Sequence, residues 1–234
     1  LVNESQHFFW FTPKKGVLIT RCSQVIHLQR VLEWTIVQPM NEIASSLSGR
    51  FIAFDGPDGS GKSTQLSLFV QWCSDNGVVV TEVREPGGTS IGEQIRKILL
   101  DPENEAMTIP CEMLLYMASR AQLVQQTILP AMERGELVVA DRFVSATLAY
   151  QGAAGGIAVE SIQKVADVAV SGCFPDLTLI LDVDGETATS RLNDELDRME
   201  LKGNEFHEKV RAGFLEQARS HSDRYCVIDA TQDT

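Results

Sequence analysis

Five short apolar runs, "RFIAFD", "VVVTEV", "ELVVAD", "LTLILDV" and "YCVID", punctuate residues 50–229. Their length and their valine, isoleucine and phenylalanine content predict β-strands. Longer stretches between them, including "EMLLYMASRAQLVQQTILPAMERG" and "VESIQKVADVAVSG", carry apolar residues at helical spacing. Strands alternating with helices predict an α/β fold: a parallel sheet flanked by helices on both faces, with ligands at the carboxyl ends of its strands. Three candidate ligand groups fall there: a glycine-rich turn after the first strand, "REPGGT" after the second and "DRF" closing the third. Residues 1–49 lack any such period, and the apolar residues of "FFWF" have no spacing that would bury them on one face. They are expected to be a disordered extension, or to precede a start at Met40, with the domain spanning 50–234.

Composition narrows the function classes. The chain has 234 residues, 44% hydrophobic and 22% charged, as in ordinary globular proteins. A formal net charge of −12 with no basic run disfavours sequence-independent nucleic-acid binding, which neutralises many phosphates. Any phosphate site must then be built from local cations and backbone N–H groups. The five cysteines are dispersed and include no C-x-x-C, which disfavours a disulfide scaffold or a zinc site and suggests a reducing, cytoplasmic setting. No apolar run reaches the roughly 18 residues of a membrane span.

The turn after the first strand reads Gly56-Pro57-Asp58-Gly59-Ser60-Gly61-Lys62-Ser63-Thr64 and fits G-x-x-x-x-G-K-[ST]. Glycines let successive N–H groups converge on phosphate oxygens, Lys62 brings a cation to the β- and γ-phosphates, and Ser63 offers its hydroxyl to Mg²⁺. The following helix aims its positive end at the same anion. ATP is the expected ligand. The acids Asp55 and Asp58 beside a polyanion site raise the question of what they face.

The end of the third strand, "LVVADRF", places Asp141 to hold Mg²⁺ and Arg142 to grip a second phosphate; the alternative is an Asp-Arg pair capping the next helix. "REPGGT" adds Arg84. Tyr116 and Arg120, four apart on a helix, share a face, either as a ring plate and guanidinium fork for a nucleotide or as a core residue and a surface cation.

"FDGPDGSGKST", "REPGGT", "LLYMASRAQLV", "DRFVSATLAYQG" and "LDRME" occur in the order and spacing of the thymidylate kinases, and the chain resembles that family over about residues 50–230. The resemblance implies the P-loop nucleoside monophosphate kinase fold with a five-stranded sheet. It also implies transfer of phosphate from ATP to dTMP with Mg²⁺, giving dTDP for dTTP biosynthesis, by a homodimer. It implies that Asp58 faces the acceptor sugar and pairs with Arg142, that Tyr116 stacks on thymine, and that Arg120 binds the base or monophosphate. Thr147 meets the base edge, Tyr150 crowds the sugar 2′ position and Gln151 lines the same pocket. Some members carry a catalytic arginine where this chain has Gly59, and others supply arginines from a lid. The lid here is expected over residues 190–200, with Arg191 and Arg198 as candidates to stabilise the moving phosphoryl group. Arg191 is the first choice to reach the phosphates of ATP, and Arg198 is the second choice or instead holds the closed lid or touches the acceptor side. The alternative is that both sit on solvated helix faces, paired with nearby acids.

Two departures accompany the match. Asn193 and Asp194 interrupt the basic residues of the expected lid, and "YCVIDATQDT" stops where the family continues into a last helix. The competing functions are a degenerate P-loop regulator that binds nucleotide without transfer, and a kinase for another nucleoside or nucleotide.

Overall fold

The computed structural model describes residues 9–12, 16–19, 40–192 and 197–231. Its first elements are two strands, β1 (Phe9–Thr12) and β2 (Gly16–Ile19), paired antiparallel with Phe9 opposite Ile19 and Thr12 opposite Gly16. Aromatic and β-branched residues favour extended backbone there. The expectation that residues 1–49 lack structure is corrected for these strands, whose four-residue length gives no recognisable period. Helix α1 (Met40–Leu47) also precedes the expected boundary, and its Leu47 is buried with Leu66 and Cys73. The remainder of the 1–49 expectation lies outside the described residues.

All five apolar runs form strands: β3 (Phe51–Asp55), β4 (Val80–Arg84), β5 (Leu137–Asp141), β6 (Leu177–Asp182) and β7 (Tyr225–Asp229). They make one parallel sheet in the order β4-β5-β3-β6-β7. Side chains alternate across each strand, and both faces are covered. Phe51, Ala53, Val138 and Ala140 point into one cluster, and Ile52, Phe54, Leu137 and Val139 into the other. That double burial is why these strands read as nearly continuous apolar runs.

Helix α2 (Lys62–Asp75) packs on the second face, followed along the chain by α3 (Ser90–Leu100). The long predicted helix is three pieces: α4 (Ile109–Leu123), a π turn (Val124–Ile128) and α5 (Leu129–Glu133). Pro130 has no N–H and its ring crowds the carbonyl four residues back, at Gln126, which is where the wider π turn sits. After β5 come α6 (Val144–Thr147), a π segment (Leu148–Ala154) and α7 (Val159–Val170), the last as expected. Then α8 (Gly185–Ser190) follows β6, and α9 (Asn204–Ser220) returns to β7. The loops at the carboxyl ends of the strands enclose a cleft.

Candidate active site

β3 delivers the chain to the middle of the sheet, and the glycine-rich turn reverses it into α2. Space dictates two of the glycines. A Cβ on Gly56 (φ 136°) would lie 2.4 Å from the Leu181 carbonyl oxygen, and one on Gly59 (φ 73°) 2.2 Å from that of Ala188. The turn is thus clamped between β6 and α8, and no side chain fits at Gly59 in this arrangement. The first turn of α2 brings its unpaired N–H groups and positive dipole to the cleft wall.

Lys62 is buried and donates to the Pro57 carbonyl at 2.7 Å. Burial, helped by repulsion from Arg142, holds its ammonium pKa down to about 8 against the pull of Asp58, Asp141 and Asp55. Ser63 Oγ donates to Asp141 Oδ2 at 3.0 Å. The Ser60 hydroxyl is buried without a partner among the described residues, and a phosphate oxygen suits it as an acceptor. Thr64 is exposed on the cleft wall.

Between the two ends of the cleft stands Arg142, whose backbone is left-handed (φ 71°), uncommon for a residue with a side chain and pinned by a bond from its N–H to the Phe54 carbonyl at 2.9 Å. Its guanidinium donates to the Gly56 carbonyl at 3.0 Å, to Tyr150 Oη at 3.3 Å and to Asp58, and lies 5.2 Å above the Tyr150 ring. Tyr150 in turn donates to Asp58 at 2.6 Å. Burial works to raise the Asp58 pKa, but Arg142, Lys62 and the Tyr150 hydroxyl outweigh it and bring it to about 2. Asp55 closes β3 fully buried, accepting from the Phe143 N–H at 3.2 Å and from Ser145. Burial pushes its carboxyl up to about 6. The two acids therefore hold protein groups, Asp58 orienting Arg142 and Asp55 fixing the turn after β5.

The far end is assembled from distant segments. Arg120 is buried and fully engaged. Nε and Nη2 donate to Glu85 at 2.8 and 2.5 Å, Nη1 to Thr147 Oγ1 and Met117 Sδ at 3.1 Å each, and Nη2 to the Phe143 carbonyl at 3.0 Å. It forms a fixed wall that orients Thr147. Burial pushes Glu85 up to about 7 against the pull of Arg120. Tyr116 is half-buried on the cleft wall and has no ring–ring contact among the described residues; burial raises its phenol pKa. Gln151 also lines the cleft. Arg84, largely exposed, pairs with Glu93 at 3.0 Å, and Arg96 donates to the Pro86 carbonyl at 2.9 Å.

The two expected lid arginines part company. Arg191 lines the cleft and donates to the carbonyls of Ala230 and Thr231 at 2.8 and 3.3 Å, beyond β7. Arg198 is placed away from the phosphate site. It is buried, donates to the Leu99 carbonyl at 2.7 Å and pairs with Glu112 at 2.7 Å, because a buried guanidinium requires a carboxylate and carbonyls around it. Of the two expected roles, these contacts fit a holding role better than one at the moving phosphoryl group. Residues 193–196, with Asn193 and Asp194, lie outside the described residues.

The family model for thymidylate kinase matches residues 54–234. The chain belongs to the thymidylate kinase family. It is 46% identical over 188 residues to the thymidylate kinase of an Exiguobacterium species, covering 80% of this chain and 89% of that one. With the enzyme of Symbiobacterium thermophilum it shares 45% over 183 residues, 78% of this chain and 86% of that one. The crystal structure of thymidylate kinase from Ehrlichia chaffeensis superposes with a TM-score of 0.64 at 33% identity, covering 78% of this chain and 93% of that chain.

Against the residues expected from the family resemblance, the structure adds Glu85, Arg96 and Glu112. Glu112, Tyr116 and Arg120 recur every four residues, so a polar stripe on α4 was visible in the sequence; the partners of Glu85 were not.

Proposed function

We propose that this protein transfers the γ-phosphoryl group of ATP to dTMP, giving ADP and dTDP, the precursor of dTTP. The observation that carries this is one continuous cleft of about 820 Å³ with the phosphate-binding turn at one end, Tyr116, Thr147 and Gln151 at the other, and Arg142 between. Lys62 and the N–H groups of residues 59–63 take the β- and γ-phosphates. Arg142 and Arg84 take the acceptor phosphate, and Arg191 serves the ATP side near Ala230. A phosphate monoester is largely dianionic at neutral pH. Its oxygen attacks the γ-phosphorus without a general base, and the bond to the β-phosphate oxygen breaks as ADP departs with the electron pair. Such a reaction asks for positioning and charge stabilisation, which arginines supply. Asp58, with a pKa of about 2, stays ionised and orients Arg142.

Ser63 and Asp141 are hard oxygen donors 3.0 Å apart and would hold Mg²⁺. Bound there, the metal ion supplies neutralisation of the β- and γ-phosphate oxygens. Tyr116 offers its ring to thymine and Thr147 its hydroxyl to the base edge, while Tyr150, fixed by Asp58, crowds the 2′ position of the sugar.

A panel of monophosphate acceptors in an ADP-release assay tests the proposal. dTMP should lead, with dUMP slower by about 10–200-fold because a methyl group alone discriminates only that far. Faster turnover of AMP or CMP than of dTMP would refute it.

A further inference from the structure

Glu112 lies in the first turn of α4, wholly buried, and takes no part in the chemistry above. Its carboxylate gathers donors from three side chains on two separate stretches, Arg198 with Lys202 on one and Gln151 on the other. Arg198 Nη1 reaches Oε2 at 2.7 Å, Lys202 Nζ reaches Oε2 and Oε1 at 2.9 and 3.1 Å, and Gln151 Nε2 reaches Oε1 at 2.8 Å. Burial alone raises its pKa, but the bonds from Lys202, Gln151 and Arg198 outweigh that and hold it below the usual glutamate value. Glu112 is thus a carboxylate with no proton to donate.

That fact settles which way Gln151 faces. An ionised carboxylate only accepts, so the NH₂ end of the amide must turn toward it. The planar amide then directs its carbonyl oxygen away from Glu112, and that oxygen is not among the sealed, unpartnered polar atoms of the interior. Gln151 and Thr147, four positions apart, both line the cleft. The Thr147 oxygen already accepts from Arg120 at 3.1 Å, which leaves its hydroxyl hydrogen to give. The wall therefore presents an acceptor beside a donor.

On the dTMP kinase reading, we propose that Glu112 is a positioning residue that fixes the polarity of the Gln151 amide. The pocket then selects a base with an N–H next to a carbonyl on its pairing edge, the imide of thymine or uracil, over cytosine. Cytosine offers a ring-nitrogen acceptor and an amino donor at those places, so it would meet acceptor with acceptor and donor with donor. Arg198 and Lys202 keep Glu112 charged; without them a buried carboxylate would take up a proton and let the amide turn over.

The test compares dUMP with dCMP, which differ on that edge and share the absence of a 5-methyl group. The wild-type enzyme should favour dUMP in kcat/KM. Glu112→Gln keeps the shape and adds donor capacity, so the dUMP-over-dCMP ratio should fall at least about tenfold, chiefly through KM. In a Gln151→Ala background the same change should alter the ratio less than about twofold, since no amide remains to be oriented. Glu112→Asp keeps the charge for Arg198 and Lys202 but draws the carboxylate back by one methylene. It should fold even where Glu112→Gln does not, and should lower the ratio in the same direction. A folded variant at position 112 with the wild-type ratio overturns the proposal, as does an equal fall in the Gln151→Ala background. A wild-type protein inactive on both dTMP and dUMP instead overturns the kinase reading beneath it.

Discussion

At the phosphate-binding turn, functional groups rest on partners they can leave: Lys62 on a backbone carbonyl and Ser63 on Asp141. At the base end the charges are locked in buried pairs, Arg120 with Glu85 and Arg198 with Glu112. Exchanging one hydrogen bond for another involves about 1 kcal/mol, whereas breaking a buried pair costs about 3–5 kcal/mol. The donor end is built to rearrange around its ligand, and the base end to be in place beforehand. The contrast follows from what each end meets. A triphosphate offers many charged oxygens and tolerates small shifts. A nucleobase offers a few neutral donors and acceptors, which can be told apart only by groups already fixed.

The largest expected effect falls on the locked end. Arg120→Met leaves Glu85 buried without its cation and should cost about 3–5 kcal/mol in urea unfolding, with a raised KM for dTMP. Adding Glu85→Gln should restore much of that stability, because the stranded charge is gone. A loss under about 1 kcal/mol for Arg120→Met would erase the distinction between the two ends, since the pair would then count for no more than a single exchangeable hydrogen bond.

A smaller effect sits at the junction, where Asp58 joins the turn to Arg142. Its folded pKa of about 2 lies below the ordinary 3.8, so the folded state binds its proton more weakly than the unfolded chain does. The stability it contributes is present above pH 3.8 and is lost as pH falls toward 2, an effect of about 2 kcal/mol. Urea midpoints followed across that range should fall more steeply for wild type than for Asp58→Asn. Parallel curves would mean that Asp58 is not held by Arg142 and Tyr150 as the geometry has it.

The same contrast explains what could be read from the sequence. The turn is contiguous, so one stretch of residues 56–64 states its chemistry, and the doubly buried strands state themselves as apolar runs. The base end is written in partners far apart: Glu85 and Arg120 are 35 positions apart, Gln151 and Glu112 are 39, and Lys202 and Glu112 are 90. Arg198 read as a lid cation because a charged residue in a polar stretch gives no local sign that it will be buried. The π turn before Pro130 was likewise hidden, since helical periodicity continues on either side of it. Glu112 was the one legible omission, a carboxylate in phase with Tyr116 and Arg120.

The fate of the γ-phosphate of ATP tests the whole account most directly. With γ-labelled ATP and dTMP, the wild-type protein should place the label in dTDP, one for each ADP formed. Lys62→Met should slow that transfer by about 10²–10³, while dTMP binding measured by calorimetry stays within about twofold of wild type because the base end is already formed. Label released as inorganic phosphate regardless of dTMP, or a Lys62→Met protein that has lost dTMP binding as well, would contradict it.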